Sequence, residues 1–457
     1  MKRKYTYYLL LILFCGCTTM FSQQWQYLGD TAACDFAAAN PYIAVNTHNE
    51  TYLLYADMSY APGKTTVKKF DGINWVHTGG SSTIGQTLPP CLAFDTVGLP
   101  YVGVTTAHLT VARFDGTNWS TVGNAGFAPG DATSISLKVA PDNTPYIAFR
   151  DFAHNENMSV MKFDGSNWVY VGQPGFSPNS IHAYDGAWSP SLAFDQSGVP
   201  YIAYIDITNG YRLSVMKFNG TSWVYVGSPN ISPNAGLPTL VIDSHGSPIV
   251  GYTDGNAQVK KFNGTSWVFV GMPSFAYNID FPFLAIDKND GLYFVYSINR
   301  KANVMEFHGM NWTQCGNADF HPSAYYTTIA VDDWGNNLYV GLQDGRDRYY
   351  SSGGSYDIVS VMRLQRTANS IIPKESESFS FKVFPNPTSS KVQIIYSPQK
   401  TEKAILKVTN TNGQIVYRED FTGGYNKEVD LSRLSKGVYF IEIKSPQNCV
   451  TRKVLFD

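Results

Sequence analysis

An all-β repeat fold is what this sequence predicts, and three observations predict it. The segment at residues 159–172, SVMKFDGSNWVYVG, recurs in near-copies along most of the chain. Ahead of each copy stands a two-strand frame, clearest as residues 191–195, a turn at Gly198, then residues 200–206. Both faces of these short runs are apolar: Trp168 and Tyr170 fall on one side, Val169 and Val171 on the other, as a sheet packed between two others requires. Four-strand repeats of roughly 40–50 residues predict a β-propeller.

Taken in order, the chain opens with Lys2, Arg3 and Lys4, an apolar run from Tyr7 to Phe14, and small or polar residues to Ser22. That pattern predicts a secretory signal peptide over residues 1–22, too short to span a membrane, with Cys17 a poor lipoprotein signal. Trp25-Gln26-Tyr27-Leu28-Gly29 then repeats the pattern of residues 168–172, so it is expected to supply the outer strand of the last blade. The hairpins of the third and fourth strands centre on Phe70-Asp71-Gly72 with Trp75, Phe114-Asp115-Gly116 with Trp119, Phe163-Asp164-Gly165 with Trp168, Phe218-Asn219-Gly220 with Trp223, Phe262-Asn263-Gly264 with Trp267 and Phe307-His308-Gly309 with Trp312. Each Asp-Gly is read as a type I′ turn. First and second strands occupy residues 43–57, 92–106, 137–151, 191–206, 240–254, 284–298 and 329–344, and residues 358–363 give a seventh third strand with no Trp strand after it. Residues 23–366 are therefore expected to form a seven-bladed β-propeller closed three strands plus one by the N-terminal strand. The repeated Trp25, Trp75, Trp119, Trp168, Trp223, Trp267 and Trp312 are read as inter-blade core rather than sugar-stacking platforms. Asp95, Asp195, Asp243, Asp287 and Asp332 are read as turn formers, replaced by Asn46 and Ala140 in two blades.

With 14% aromatic and 15% charged residues and a net charge of -2, the composition argues against a nucleic-acid surface. Outside the leader the cysteines are Cys34, Cys91, Cys315 and Cys449. Cys34 and Cys91 occupy equivalent lead-in segments, which leaves open both a disulfide and two buried thiols. No CxxC, HExxH or spaced His pair occurs, so neither a metal nor a cofactor is expected.

Residues 367–378 (TANSIIPKESES) have the polar composition of a linker, and residues 379–457 alternate apolar and polar in short runs, predicting a small Ig-like β-sandwich. This module carries Phe384-Pro385-Asn386-Pro387, Asn412-Gly413-Gln414-Ile415-Val416, Leu434-Ser435-Lys436-Gly437-Val438-Tyr439 and a closing Lys453-Val454-Leu455-Phe456-Asp457. In these motifs it resembles the type A C-terminal sorting domain of the type IX secretion system of Bacteroidota, the Por secretion tail. The resemblance implies Sec export, the type IX machinery as partner, and a final place on the outer-membrane surface or in the medium. A sandwich serving as an adhesive module is the alternative.

Function is sought on the rim where second-to-third and fourth-to-first connections lie together. There the second strands end in Asp57, Asp151, Asp206, Asp254 and Asp344, with Arg150, Arg212, Arg300, Arg346 and Arg348 close by; the long loop adds His182, Tyr184 and Trp188, and the other loops Phe127, Phe176, Phe275 and Phe320. Arginine, aspartate and aromatics together suit a sugar, an anionic one included, because rings stack on aromatic faces while Arg makes paired bonds to carboxylate or sulfate. The plainer reading makes them solvated charges and loop-packing aromatics. The Asp-Gly-x-x-Trp hairpin is also similar to the Asp-box of sialidases, but Lys162 holds the Ser position and Asp164 and Gly165 are adjacent. Only Glu50, Glu156 and Glu306 are glutamates of the propeller, so a glycosidase would draw its acids from the rim aspartates. The expectation is a secreted or cell-surface recognition or adhesion module for glycans, with a sialidase-like glycan hydrolase and a structural surface-layer component as alternatives.

Overall fold

The computed structural model describes residues 23–59, 63–79, 85, 91–105, 108–177, 190–206, 210–351, 354–366, 380–384, 388, 390–397, 403–410, 414–444 and 449–456. The expected leader and linker lie outside them. The chain divides into two compact units, Met1–Thr367 and Ala368–Asp457. The described residues contain no α-helix; one 3-10 turn, Phe152–His154, is the single helical element among them.

In the first unit the described strands form seven four-stranded antiparallel sheets. Six are built from consecutive strands, which we denote A to D in chain order; the third sheet, for example, runs Ala132–Val139, Pro145–Asp151, Asn157–Phe163, Trp168–Tyr170. The seventh joins Ala324–Val331, Asn337–Ser351 and Gly354–Gln365 to Gln26–Tyr27, with Gln26 opposite Arg363 and Tyr27 opposite Met362. These are the repeats of a β-propeller. Strand B is buried along its length, as in Pro145–Asp151, so its apolar residues feed two neighbouring sheets at once.

The tryptophans join one sheet to the next. Each indole N–H donates to a carbonyl just past strand D of the preceding sheet: Trp119 to Thr78 and Trp168 to Val122 at 2.8 Å, Trp223 to Val171 at 2.7 Å, Trp267 to Val226 and Trp312 to Val270 at 2.8 Å. Trp75 donates to Leu28 at 2.8 Å, and Trp25 to Cys315 at 3.1 Å. The glycine one residue beyond each acceptor leaves room for the incoming ring. Gly172 has φ +76°, and a Cβ there would stand 3.3 Å from Trp223 and 3.1 Å from Phe218.

The C–D turns differ from the expected type I′ geometry. Phe163 pairs with Trp168, so four residues bridge the strands, and in Asp164-Gly165 only the glycine has positive φ. Asp164 caps the loop instead, its carboxylate accepting the amides of Ser166 and Asn167 at 2.9 and 2.7 Å. The A–B aspartates do the same locally: Asp195 accepts from Ser197 and Val199, Asp243 from His245 and Ser247, and Asn46 substitutes with His48 and Glu50. Cys34, Cys91 and Cys315 are free, buried thiols. Cys34 and Cys91 belong to different core clusters, which settles their question in favour of thiols.

In the second unit, Ser380–Phe384, Lys391–Ser397 and Tyr425–Asp430 form one sheet and Lys403–Asn410, Ile415–Thr422, Gly437–Lys444 and Cys449–Phe456 another. Alternate residues such as Ile394, Leu406, Ile441 and Val454 make the shared core.

Candidate functional site

The A strands of all seven sheets surround one cavity of about 240 Å³. Its wall is shaped by a feature absent from the expectation. In five sheets strand A is interrupted by a bulge at the same place, between Ala39 and Tyr42, Thr133 and Ser136, Gly236 and Thr239, Asp280 and Phe283, and Tyr325 and Thr328. Each bulge holds a non-glycine residue in the left-handed region, Asn40, Ser134, Leu237, Phe281 and Tyr326, with φ from +47° to +52°. Such conformations are costly for large side chains and persist where the surroundings impose them. Asn40, Leu237, Phe281 and Tyr326 line the cavity. Pro41, Pro238 and Pro282 follow three of them, and proline inside a paired strand was the sequence signal for a bulge.

Because antiparallel connections alternate ends, the B–C and D–A segments share the bulge end of the sheets. The rim residues expected there divide by burial. Asp151 and Asp344 are fully buried. Asp151 accepts from Ser159 Oγ at 2.7 Å, Tyr170 Oη at 3.1 Å and the Ala153 amide at 3.0 Å, and pairs with His154 Nδ1 at 2.8 Å. Asp344 meets His321 Nε2 at 3.1 Å, Arg346 at 2.7 Å and Ser360 Oγ at 3.3 Å. Burial alone would raise the Asp344 pKa, but His321 and Arg346 outweigh it and hold the carboxyl well below the usual carboxylate range. Asp206 is buried as well, opposite Arg212 in the ladder. Asp57 folds onto Ser59, accepting its amide at 2.9 Å and hydroxyl at 2.6 Å, while Asp254 accepts from the Asn256 amide at 3.2 Å and from the Gln258 side chain. These carboxylates anchor B–C turns.

The arginines are arranged differently. The guanidinium of Arg150 lies 4.9 Å from the Phe152 ring, that of Arg300 5.2 Å from Tyr325, and that of Arg346 5.9 Å from Tyr27. Arg150 is buried and paired with Glu156; Arg212 and Arg300 are exposed. Arg348 begins an extension of the B–C hairpin of the seventh sheet, where Arg348 pairs with Asp357 and Ser351 with Gly354 after a register shift past Asp344. The polar run there gave no alternating signal for strand. Trp188, His182 and Tyr184 lie outside the described residues.

The loop phenylalanines face inward. Phe127, Phe176, Phe275 and Phe320 stack on Trp168, Trp223, Trp312 and Trp25 at 4.3, 4.7, 4.5 and 4.4 Å between ring centres. Other aromatics take the exposed positions: Phe36, Phe152, Tyr211 and Tyr277 stand on D–A and B–C segments, Tyr277 at 63% exposure. No spacing marked them in the sequence.

In the second unit Gly437 opens its strand at φ +149°, and Tyr439 donates its hydroxyl to the Ser435 carbonyl at 2.6 Å. Lys453 pairs with Phe440 in the ladder; Pro385, Asn386, Pro387 and Gly413 lie outside the described residues.

Residues 382–457 match the family model described as a secretion system C-terminal sorting domain, the type IX tail. No curated protein matches the chain. Among solved structures it is similar to YCF48 bound to D1 peptide, at 11% identity and TM-score 0.49, covering 76% of this chain and 96% of that one. An ulvan lyase of a polysaccharide-lyase family is similar at 12% identity and TM-score 0.48, with 75% and 96% covered, and the lectin of Aleuria aurantia at 14% and 0.44, with 64% and 100% covered. At these TM-scores the likenesses carry no argument about a ligand.

Proposed function

Because residues 382–457 are a type IX sorting domain, which marks the chain for export to the cell surface or the medium, we propose that its repeat domain works there as a recognition module for glycans. We read that domain as a seven-bladed β-propeller closed three strands plus one, with residues 1–22 as the removed leader, residues 367–378 as linker and the type IX machinery as partner. Support for the ring comes from the indole bonds, which run from Trp75 through Trp312 to Trp25 and return to Leu28 beside it.

One observation carries the glycan reading: on the loop side, arginines lie over aromatic rings and further aromatics stand exposed on the same connecting segments. Sugars use that pair of chemistries, apolar ring faces against aromatics and oxygens against a planar donor. Recognition is favoured over cleavage because the buried rim carboxylates Asp151 and Asp344 are taken up by bonds to their own sheets and loops, and Asp344 is held in its charged form, whereas a glycosidase acid must keep its proton. A glycan array of the purified full chain, with hydrolysis products followed in parallel, tests this. Binding without turnover is expected, weakened about tenfold or more in Arg300→Ala and Tyr277→Ala, each loss of tenfold being about 1.4 kcal/mol. Turnover, or binding indifferent to both substitutions, overturns it.

A further inference from the structure

Strand A departs from its own repeat at one position of the third sheet. The seventh sheet places Ala330 opposite the third residue of its strand B, Tyr339, and five others place a small apolar residue opposite the second: Ala44, Ala93, Ala193, Val241 and Ala285. The third sheet places Lys138 there, opposite Tyr146. Lys138 is half-buried, lines the cavity, and is the one charged residue among the described residues that do so. It makes no hydrogen bond or ion pair among the described residues. It therefore brings a positive charge to an otherwise uncharged wall, with no described carboxylate paired to it. An anion entering the cavity would restore the balance.

The rest of the wall is uneven in a way that completes a site. Tyr42, Phe281, Phe283 and Tyr326 supply an aromatic side, with Tyr42 and Phe283 5.8 Å apart edge to face and Phe281 and Tyr326 4.5 Å apart. Near Lys138 the wall is hydroxylic. Ser136 accepts the Leu192 amide at 3.1 Å and Ser191 the Leu240 amide at 2.8 Å, which leaves each O–H to donate. A volume of about 240 Å³ lies below the ~300–1,000 Å³ of sites for drug-sized ligands, so it suits one ring rather than a chain. We infer that the central cavity is a binding site for a single anionic sugar unit, its ring on the aromatic side, its carboxylate or sulfate at Lys138 Nζ, and its hydroxyls at Ser136 and Ser191. The inference rests on the glycan-recognition reading but places the anion in the cavity, away from the rim arginines.

Calorimetry of the full chain with D-galacturonate, D-galactose 6-sulfate and D-galactose tests it. At least one of the two anions is expected to bind, with neutral galactose about tenfold weaker or more; the two anionic arms separate carboxylate from sulfate. Lys138→Met should reduce the binding anion to the level of galactose, and Lys138→Arg should restore it to within a few-fold of wild type, which separates charge from folding. The inference falls if neither anion binds, if galactose binds equally, or if Lys138→Met leaves anion binding unchanged. Arg300-dependent array binding with no anion binding sinks this inference and leaves the rim reading; Lys138-dependent binding with an indifferent rim does the opposite.

Discussion

Trp168 illustrates what single residues do in this chain. Its ring lies between Phe127 and Phe163, its N–H is bonded to Val122, and it is buried. Trp168→Ala should therefore cost about 3–5 kcal/mol, as for other buried aromatics, without a selective loss of glycan affinity. Denaturant unfolding alongside the array measures both; unchanged stability with lost binding would reverse the assignment. Asp344 makes a pH prediction. Its folded pKa lies below its unfolded value, so its contribution is present above about pH 4 and fades as pH falls toward the folded pKa. Asp344→Asn should destabilise by about 3–5 kcal/mol at pH 7, because Arg346 and His321 lose their charge partner. The gap to wild type should narrow below pH 4, and melts recorded at pH 7, 4 and 3 would show a constant gap if the pairing is immaterial. The tryptophans and their glycines were legible in the sequence because a recurring pattern reports a shared environment. The partners of Asp344 were not, since His321 and Ser360 reach it from other segments and spacing says nothing of such meetings.

Among the elements, the four-stranded sheets and their order were legible from alternation and turn residues. Bulges were half-written, in Pro41, Pro238 and Pro282, and the cavity wall they shape could not be read without them. Lys138 was visible as a letter, but its meaning depends on six counterparts that only the ladder registers align. The short strand Gln26–Tyr27 gives the sharpest prediction. Removing residues 23–30 deletes the Trp25 stack on Phe320, the bond to Cys315 and the acceptor for Trp75, and bares the edge of Gly354–Gln365. The truncated chain should melt more than about 5 °C lower, a loss of several kcal/mol. A change within a degree or two would show that the seven-sheet closure is wrong.

For the whole molecule the tail makes the testable claim. Deleting residues 379–457 should leave a folded repeat domain in the periplasm. Fusing those residues to a reporter with its own signal peptide should bring it to the surface of a host with type IX machinery. Gly437→Ala in the fusion should impair this, since φ +149° disfavours a Cβ. Cell fractionation decides; a reporter that stays inside would make the sandwich an ordinary adhesive module. The seventh sheet, in turn, sets a timetable. Every other sheet assembles from neighbouring strands, but this one brings Cys34 to Val359 across 325 residues, and a flexible loop of that length costs about 5 kcal/mol to close. Six sheets can therefore form as soon as their strands are available, while the seventh waits for both ends of the repeat region. A chain held up between those two moments has an open β edge along Gly354–Gln365, and that interval is when it is most exposed to pairing with a second copy of itself.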